Sequence, residues 1–476
     1  MIKERRVFMK KTKIICSIGP ASADVNVMCD MVKSGMNVAR INFSHATYEA
    51  NEKTLATVED VRKITGENIA VLFDTKGPDF RCGEIDGEIN LAEGAIVKIV
   101  KEDVIGRDNY FTVNYKDALD KINIGDSILL DDGLMKLKVE YKDTESLTCR
   151  VVDGGTLTSK KGISVPNVNL SLPFLSEQDV KDILYAIEKN GDFLALSFVE
   201  SKENVLAVRK ILDEYKSKMK IISKIESSTA LTNLDEIIDV SDGIMVARGD
   251  LGVEIPLESL PIIQKELIKK CRDKEKFVIV ATEMLASMYT SPRPTRAEVT
   301  DISNAVLDGA DAVMLSGETT VGKHPIEAVK YMSNICIESE KYEQYKRKYE
   351  NNMINDVTEA VASAVLASSK MLDAKGIVVP TSGGHSAVVI SNLRPKSVIL
   401  ALCPNEAISR SLSLNYGVYA VVLPTFENDM DDVVEKCKAE AIKYLNLNKN
   451  DVIIITGGIH KDKEIKQTNF MKIEEI

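Results

Sequence analysis

The chain has no tryptophan and only four histidines, and aromatic residues make up 5% of its 476 positions. Its cores must therefore be aliphatic. No histidine stands at zinc-ligand spacing, which argues against a structural zinc. The eight cysteines, Cys16, Cys29, Cys82, Cys149, Cys271, Cys336, Cys403 and Cys437, are scattered and include no C-x-x-C pair. That suits reduced core thiols in a cytosolic protein and not a disulfide framework. No apolar run is long enough to span a bilayer, and the basic N-terminus lacks the apolar stretch of a signal peptide. A cytoplasmic location is expected, with the first eight residues a short extension before a more natural start at Met9. The net charge of −11 argues against nucleic acid and anionic membranes as partners. If the substrates are anions, local basic groups must attract them against this global charge.

What is present is a long alternation. Length alone suggests roughly two to four domains. Short apolar runs occupy residues 13–18, 37–42, 69–74, 193–197, 220–225, 243–247, 277–281 and 311–315, and most precede a helix-like stretch such as 257–271 or 325–339. Runs buried on both faces and alternating with helices imply parallel βα units, and eight of them predict a (β/α)8 barrel. The interval between the third and fourth runs is out of proportion. It carries Gly87, Gly94, Gly125, Gly133, Gly154 and Gly155 between short segments at 95–100, 127–130 and 134–139. That pattern fits an all-β insert at a catalytic-face loop, where it can act as a lid. Residues 346–356 read as a linker or helix end. Beyond them a helix at 357–371 and strands at 376–380, 397–402, 418–423 and 451–456 predict a smaller open-sheet α/β domain. The expected division is 1–77 with 173–345 (barrel), 78–172 (lid) and 346–476 (C-terminal domain).

In such barrels chemistry sits at the C-terminal strand ends. Here those ends carry Arg40 to His45, Asp74-Thr75-Lys76, Lys224-Ile225-Glu226, Arg248-Gly249-Asp250, Thr282-Glu283 and Ser316-Gly317-Glu318. Charged residues flank buried strands in any α/β protein, so no single one is decisive; the whole set is. Lys224 and Glu226 are two apart and share a side of their strand. Glu226 and Asp250 could supply two carboxylate oxygens to one Mg²⁺, and Lys224 beside it suits an oxygen that gains charge in a transition state. The segment from Gly317 to Lys323 nearly spells a P-loop, but His324 stands where Ser or Thr must ligate Mg²⁺. The stretch Thr381-Ser382-Gly383-Gly384-His385-Ser386 reads equally as a phosphate nest at a helix N-terminus or as a tight βα turn with a hydroxyl cap.

At these residues the chain resembles the pyruvate kinase family, of the bacterial type without an extra C-terminal phosphohistidine domain. The segments are KIICSIGP (13–20), NVARINFSH (37–45), DTKGPDFR (74–81), IISKIE (221–226), MVARGDLGVEIP (245–256), PRPTRAE (292–298) and NAVLDGADAVMLSGE (304–318). The resemblance implies a (β/α)8 TIM barrel with an inserted β-barrel lid and a C-terminal α/β open-sheet regulatory domain. It implies transfer of the phosphoryl group of phosphoenolpyruvate to ADP, giving pyruvate and ATP, with Mg²⁺ or Mn²⁺ and K⁺ as cofactors. Glu226 and Asp250 then match the Mg²⁺ ligands, and Asn42, Ser44, Asp74 and the Thr75 carbonyl match the K⁺ site. Lys224 resembles the lysine on the transferring phosphoryl group, and Arg40 and Arg81 the phosphate-clamping arginines. The backbone of Ala247, Arg248, Gly249 and Asp250, with Thr282, matches the substrate-carboxylate pocket. His45 and Lys161 match nucleotide-side residues. Thr381 to Ser386 resemble a sugar-phosphate effector pocket, and a homotetramer is implied.

Three departures stand out. Asp79 replaces the frequent Glu after DTKGP and keeps the sign that accompanies K⁺ dependence. ATEMLASM at 281–288 departs from the common ATQMLESM, which moves a carboxylate next to Thr282. The end reads Lys466-Gln467-Thr468-Asn469, half of the segment that faces the nest in effector-regulated members. Rival readings are a Mg²⁺-enolate lyase or aldolase, which would not need ADP, and an inactive sugar-phosphate sensor, which would not need Lys224.

Overall fold

The computed structural model describes residues 10–44, 46–342, 356–423, 430–458 and 467–476. Eight parallel strands form a closed barrel. They are β1 Lys13–Ser17, β2 Val38–Asn42, β3 Ala70–Asp74, β4 Phe193–Leu196, β5 Lys220–Ile225, β6 Gly243–Ala247, β7 Phe277–Ala281 and β8 Ala312–Leu315. Each matches an apolar run of the sequence. The runs are unbroken because both strand faces are buried. Outward residues such as Ile14, Val71 and Ile244 pack beneath the helices, while Val38, Leu72, Ile222 and Met245 fill the barrel. In this aromatic-poor interior, Phe193 and Phe277 meet edge to face with centroids 6.0 Å apart.

The inward set also locates the site. Side chains on a strand repeat every second residue. Ser17 follows Ile15, Arg40 follows Val38, Asp74 follows Leu72, and Lys224 follows Ile222. Ser197, just past β4, follows Ala195 in the same way. The topmost layer of the barrel is therefore polar.

The opposite mouth is sealed by the C-terminal domain. Leu414 joins the cluster of inward strand residues. Around it Asp311, just before β8, pairs with Arg394 at 3.0 Å, both side chains 1% exposed. Asp192, just before β4, pairs with Arg410 at 2.8 Å, and Lys220 donates to the Ser411 carbonyl.

Between β3 and β4 the chain builds a half-barrel lid. A six-stranded sheet includes Ile96–Val100, Ser127–Leu130, Met135–Lys142 and Ser146–Asp153. The strands Ile89–Leu91 and Gly155–Leu157 form a second, two-stranded sheet over the same core. The C-terminal sheet runs in the order Val418–Val422, Val398–Cys403, Gly376–Pro380, Val452–Gly457, Phe470–Glu475. Its last strand is antiparallel and was not expected from the sequence. It lies at the sheet edge, where partial exposure on both faces removes the apolar pattern that marks a buried strand. The stretch expected as a helix from residue 257 opens with the 3-10 turn Leu257–Ser259 and becomes α-helical at Leu260–Asp273, with Pro261 in the first turn. Residues 1–9 and most of the expected linker lie outside the described residues, although Asp356 caps the helix Val357–Met371. No helix among the described residues is long and apolar enough to cross a membrane.

Because Leu414 closes the barrel from below, Leu414→Ala is expected to cost about 2–5 kcal/mol of stability. Urea denaturation followed by circular dichroism checks this; an unchanged midpoint would show that the plug contributes no packing.

Candidate active site

The polar layer is one hydrogen-bonded network. Arg40 donates through Nε to Asp74 Oδ2 at 2.7 Å and through Nη1 to Ser17 Oγ at 2.7 Å. Lys224 Nζ reaches Asp74 Oδ1 at 3.3 Å, Ser197 Oγ at 2.7 Å and Glu226 Oε1 at 2.9 Å. The partners meet because the strands are in register: Arg40 stands opposite Leu72, Asn42 opposite Asp74, and Asp74 opposite Ala195. Burial would raise the Asp74 pKa, but Arg40 and Lys224 outweigh it and hold the carboxylate below its ordinary value. Burial would lower the Lys224 pKa, but Asp74, Glu226 and Asp250 outweigh it and keep the ammonium above its ordinary value. Glu226 is shifted the other way. Burial pushes its pKa up against the pull of Lys224, with Asp250 adding repulsion.

The far side of the mouth is shaped by Arg248. Its guanidinium turns away from the mouth and is spent on structure. Nη1 donates to both Asp301 oxygens, at 2.7 and 2.6 Å, and Nη2 donates to the Thr282 carbonyl at 2.7 Å. This clamp holds Thr282 and Glu283, two successive non-glycine residues with φ of +69° and +54°. The Gly249 N–H donates to Thr282 Oγ1 at 2.8 Å, and Thr282 Oγ1 donates to the Ala281 carbonyl. Glu283 is exposed. Glu318, expected among the groups converging on the mouth, is instead a loop anchor. It is 2% exposed and accepts the Leu285 and Ser316 N–H groups.

Lid and barrel enclose a cavity of about 350 Å³ lined by Glu226, Asp250, Phe198 and Glu254 from the barrel and by Arg81, Asp132 and Lys161 from the lid. Arg81 is bound to Asp79 and to the Lys160 carbonyl, and Lys161 to Asp131 at 2.8 Å. Glu226 and Asp250 thus face one space. Two hard carboxylates, one of them carrying a desolvation penalty that a cation would relieve, fit a divalent ion completed by substrate oxygens and water. The oxygens expected for K⁺ are also close in sequence and register: Asn42 Oδ1 accepts the Ser44 N–H at 3.0 Å, and the Thr75 carbonyl accepts from Ser197 at 2.7 Å.

The structure therefore brings together Arg40, Asp74, Thr75, Lys224 and Glu226, and places Asp250, Arg81 and Lys161 on the adjoining cavity. His45 lies outside the described residues. The stretch from Thr381 to Ser386 lies in the C-terminal domain. Gly384, at φ +89°, donates its N–H to Thr381 Oγ1 at 2.8 Å, at the N-terminus of the helix His385–Asn392. Ser386 meets Thr468 of the tail at 2.7 Å, whereas Ser382, Gly383 and His385 are exposed. Sequence reasoning missed Ser17, Ser197 and Asp301. The first two were findable, since each stands two residues beyond an inward apolar residue.

Fold and site define a class: a lidded (β/α)8 enzyme that gathers cationic groups where a phosphoryl or enolate oxygen can gain charge. Comparison with known proteins narrows this. A family model described as pyruvate kinase, barrel domain, matches residues 9–329, and one described as pyruvate kinase, alpha/beta domain, matches 359–474. The chain is 42% identical over 472 residues to a pyruvate kinase of Bacillus licheniformis and 41% identical over 476 residues to one of Geobacillus stearothermophilus. Both alignments cover 98% of this chain and 80% of the relative. A crystal structure of a pyruvate kinase from Cryptosporidium parvum superposes with a TM-score of 0.91 at 36% identity, covering 98% of this chain and 96% of that one. The chain belongs to the pyruvate kinase family and is an enzyme of that activity, a transferase.

Glu254 offers a test of the cleft's electrostatics. Burial first, then repulsion from Glu200 and Asp250, pushes its pKa up to about 7, against a hydrogen bond with Ser164 of the lid. A carboxyl raised on folding loses stability as pH climbs from its unfolded value through its folded one. Glu254→Gln should therefore raise the thermal midpoint relative to the parent at pH 8.5 and by less at pH 5.5. An equal difference at both pH values would contradict this placement.

Proposed function

We propose that the protein transfers the phosphoryl group of phosphoenolpyruvate to ADP, giving pyruvate and ATP in the last step of glycolysis. The observation that carries this reading is Lys224, held between Asp74, Ser197 and Glu226 at the end of β5. It keeps its charge and faces the mouth.

In this reading Glu226 and Asp250 hold Mg²⁺ or Mn²⁺, and Asn42, Ser44, Asp74 and the Thr75 carbonyl hold K⁺. Bound there, the two cations supply positive charge beside the substrate's phosphoryl and enol oxygens. The N–H groups of Arg248, Gly249 and Asp250, at the end of β6 beyond Ala247, orient the substrate carboxylate together with Thr282. Arg40 and Lys224 fix the phosphoryl oxygens, and Arg81, Lys161 and His45 fix the nucleotide phosphates. An ADP oxygen attacks phosphorus in line and the enolate of pyruvate leaves. Lys224 meets the charge that spreads over the phosphoryl oxygens in the transition state. A proton then reaches the enolate carbon from the side of Thr282, and this step makes ATP formation favourable.

Regulation and assembly extend the proposal. Thr381 to Ser386 accept the phosphate of a sugar-phosphate or nucleotide effector, supported by the exposed N–H-rich turn and by the Ser386–Thr468 contact with the tail. The working form is a homotetramer in the cytoplasm. The functional units are 1–77 with 173–345, 78–172 and 346–476.

Pyruvate release from phosphoenolpyruvate, ADP and Mg²⁺ should be stimulated by K⁺. Lys224→Ala should lower kcat by about 10²–10³-fold, as removal of one transition-state donor does. ADP-independent release, or none, would overturn the assignment. Glu283→Gln removes a carboxylate beside the anion pocket and should lower the KM for phosphoenolpyruvate; an equal or higher KM would show that this charge is not felt there.

A further inference from the structure

Ser197 lies where the lid's hinge meets the polar layer, and it is 3% exposed. An ammonium only donates, so Ser197 Oγ must accept the 2.7 Å bond from Lys224. Its own proton then goes to the Thr75 carbonyl at 2.7 Å, the shorter of its two contacts, rather than to Asp74 at 3.2 Å. The bond is returned: the Ser197 N–H donates to Thr75 Oγ1 at 3.2 Å. Thr75 opens the segment that leaves the barrel for the lid. Two residues on, Gly77 turns at φ +68°, so close that a Cβ there would lie 2.9 Å from the Ser197 carbonyl oxygen.

That outgoing segment is pinned to the returning one. The Gly77 N–H donates to Asp179 Oδ1 at 3.0 Å. The other oxygen of the same buried carboxylate takes the Ser176 N–H at 3.0 Å and the Ser176 hydroxyl at 2.6 Å. Both crossings between barrel and lid thus converge on Asp179, and the outgoing one abuts Ser197. Past Ser197, the Phe198 N–H donates to Glu226 Oε2 at 2.6 Å.

We propose that Ser197 is a positioning residue that ties the lid's hinge, pinned by Asp179, to the aim of Lys224. This rests on the reading that Lys224 meets the phosphoryl group. Of the three acceptors of Lys224, Asp74 and Glu226 are committed to cations in that reading. Ser197 is the one that no cation claims. Its hydroxyl is also fixed by the Thr75 carbonyl, which belongs to the hinge and is a K⁺ ligand in the same reading, so the position of the hinge sets the direction of the lysine.

The test is steady-state kinetics with phosphoenolpyruvate, ADP, Mg²⁺ and K⁺ on Ser197→Ala, Asp179→Asn and the double variant, with Lys224→Ala alongside. Ser197→Ala should lower kcat about tenfold, the scale of one hydrogen bond to a charged group, with KM for phosphoenolpyruvate changed by less than about threefold. Asp179→Asn should lower kcat as well, and the double variant should fall no further than the worse single one, since both act through one network. Ser197→Cys, of similar shape and weaker hydrogen bonding, should lose kcat in the same direction. A parental kcat in Ser197→Ala, or losses that multiply in the double variant, would sink the hinge coupling. Full activity in Lys224→Ala would instead remove the phosphoryl assignment itself.

Discussion

The Asp74 carboxylate, shared between Arg40 and Lys224, is the interaction on which the mouth of the barrel depends. A carboxylate 1% exposed would ordinarily shed its charge. Here two cations prevent that, one from the adjacent strand β2 and one from β5, across β4. In return Asp74 fixes both of them: Arg40 from β2 and Lys224 from β5 are long and flexible, and without a shared anion they would repel each other in a nearly closed space. Register places the three together, and the strand alternation that fills the barrel with Val38, Leu72 and Ile222 turns polar one layer higher with Arg40, Asp74 and Lys224.

A chain of net charge −11 that takes anionic substrates must attract them through local charge. What matters is the field inside the mouth, where low-dielectric walls amplify each buried charge. Arg40 and Lys224 face the mouth, whereas on the adjoining cavity Arg81 and Lys161 stand among the carboxylates of Asp79, Asp131, Asp132, Glu200, Glu226, Asp250 and Glu254. Of these carboxylates, Glu226 and Asp250 are the pair that a divalent ion would neutralise. At the other end Leu414 and the ion pairs of Asp192 and Asp311 close the barrel, so chemistry is confined to one mouth.

Most of this architecture is legible in the sequence. Strands buried on both faces announce themselves as unbroken apolar runs, which is why all eight barrel strands could be placed. The edge strand Phe470–Glu475 could not, because partial exposure removes the pattern. At the site, strand-end charges named Arg40, Asp74, Lys224, Glu226 and Asp250. What sequence could not separate was a side chain that faces the mouth from one that braces it. Arg248 and Glu318 occupy equivalent strand ends, yet one clamps Asp301 and the other anchors two backbone N–H groups. Ser17 and Ser197 carry only the signal of strand alternation, two residues beyond Ile15 and Ala195, and Asp301 carries none until its partner Arg248 is known.

The most direct test of the central account is the anomalous scattering of a crystal grown with Mn²⁺. The account predicts a peak between Glu226 and Asp250, with Mn²⁺ close to both carboxylates and Lys224 still paired with Asp74. A peak elsewhere, or a Lys224 that abandons Asp74 when the ion binds, would contradict it.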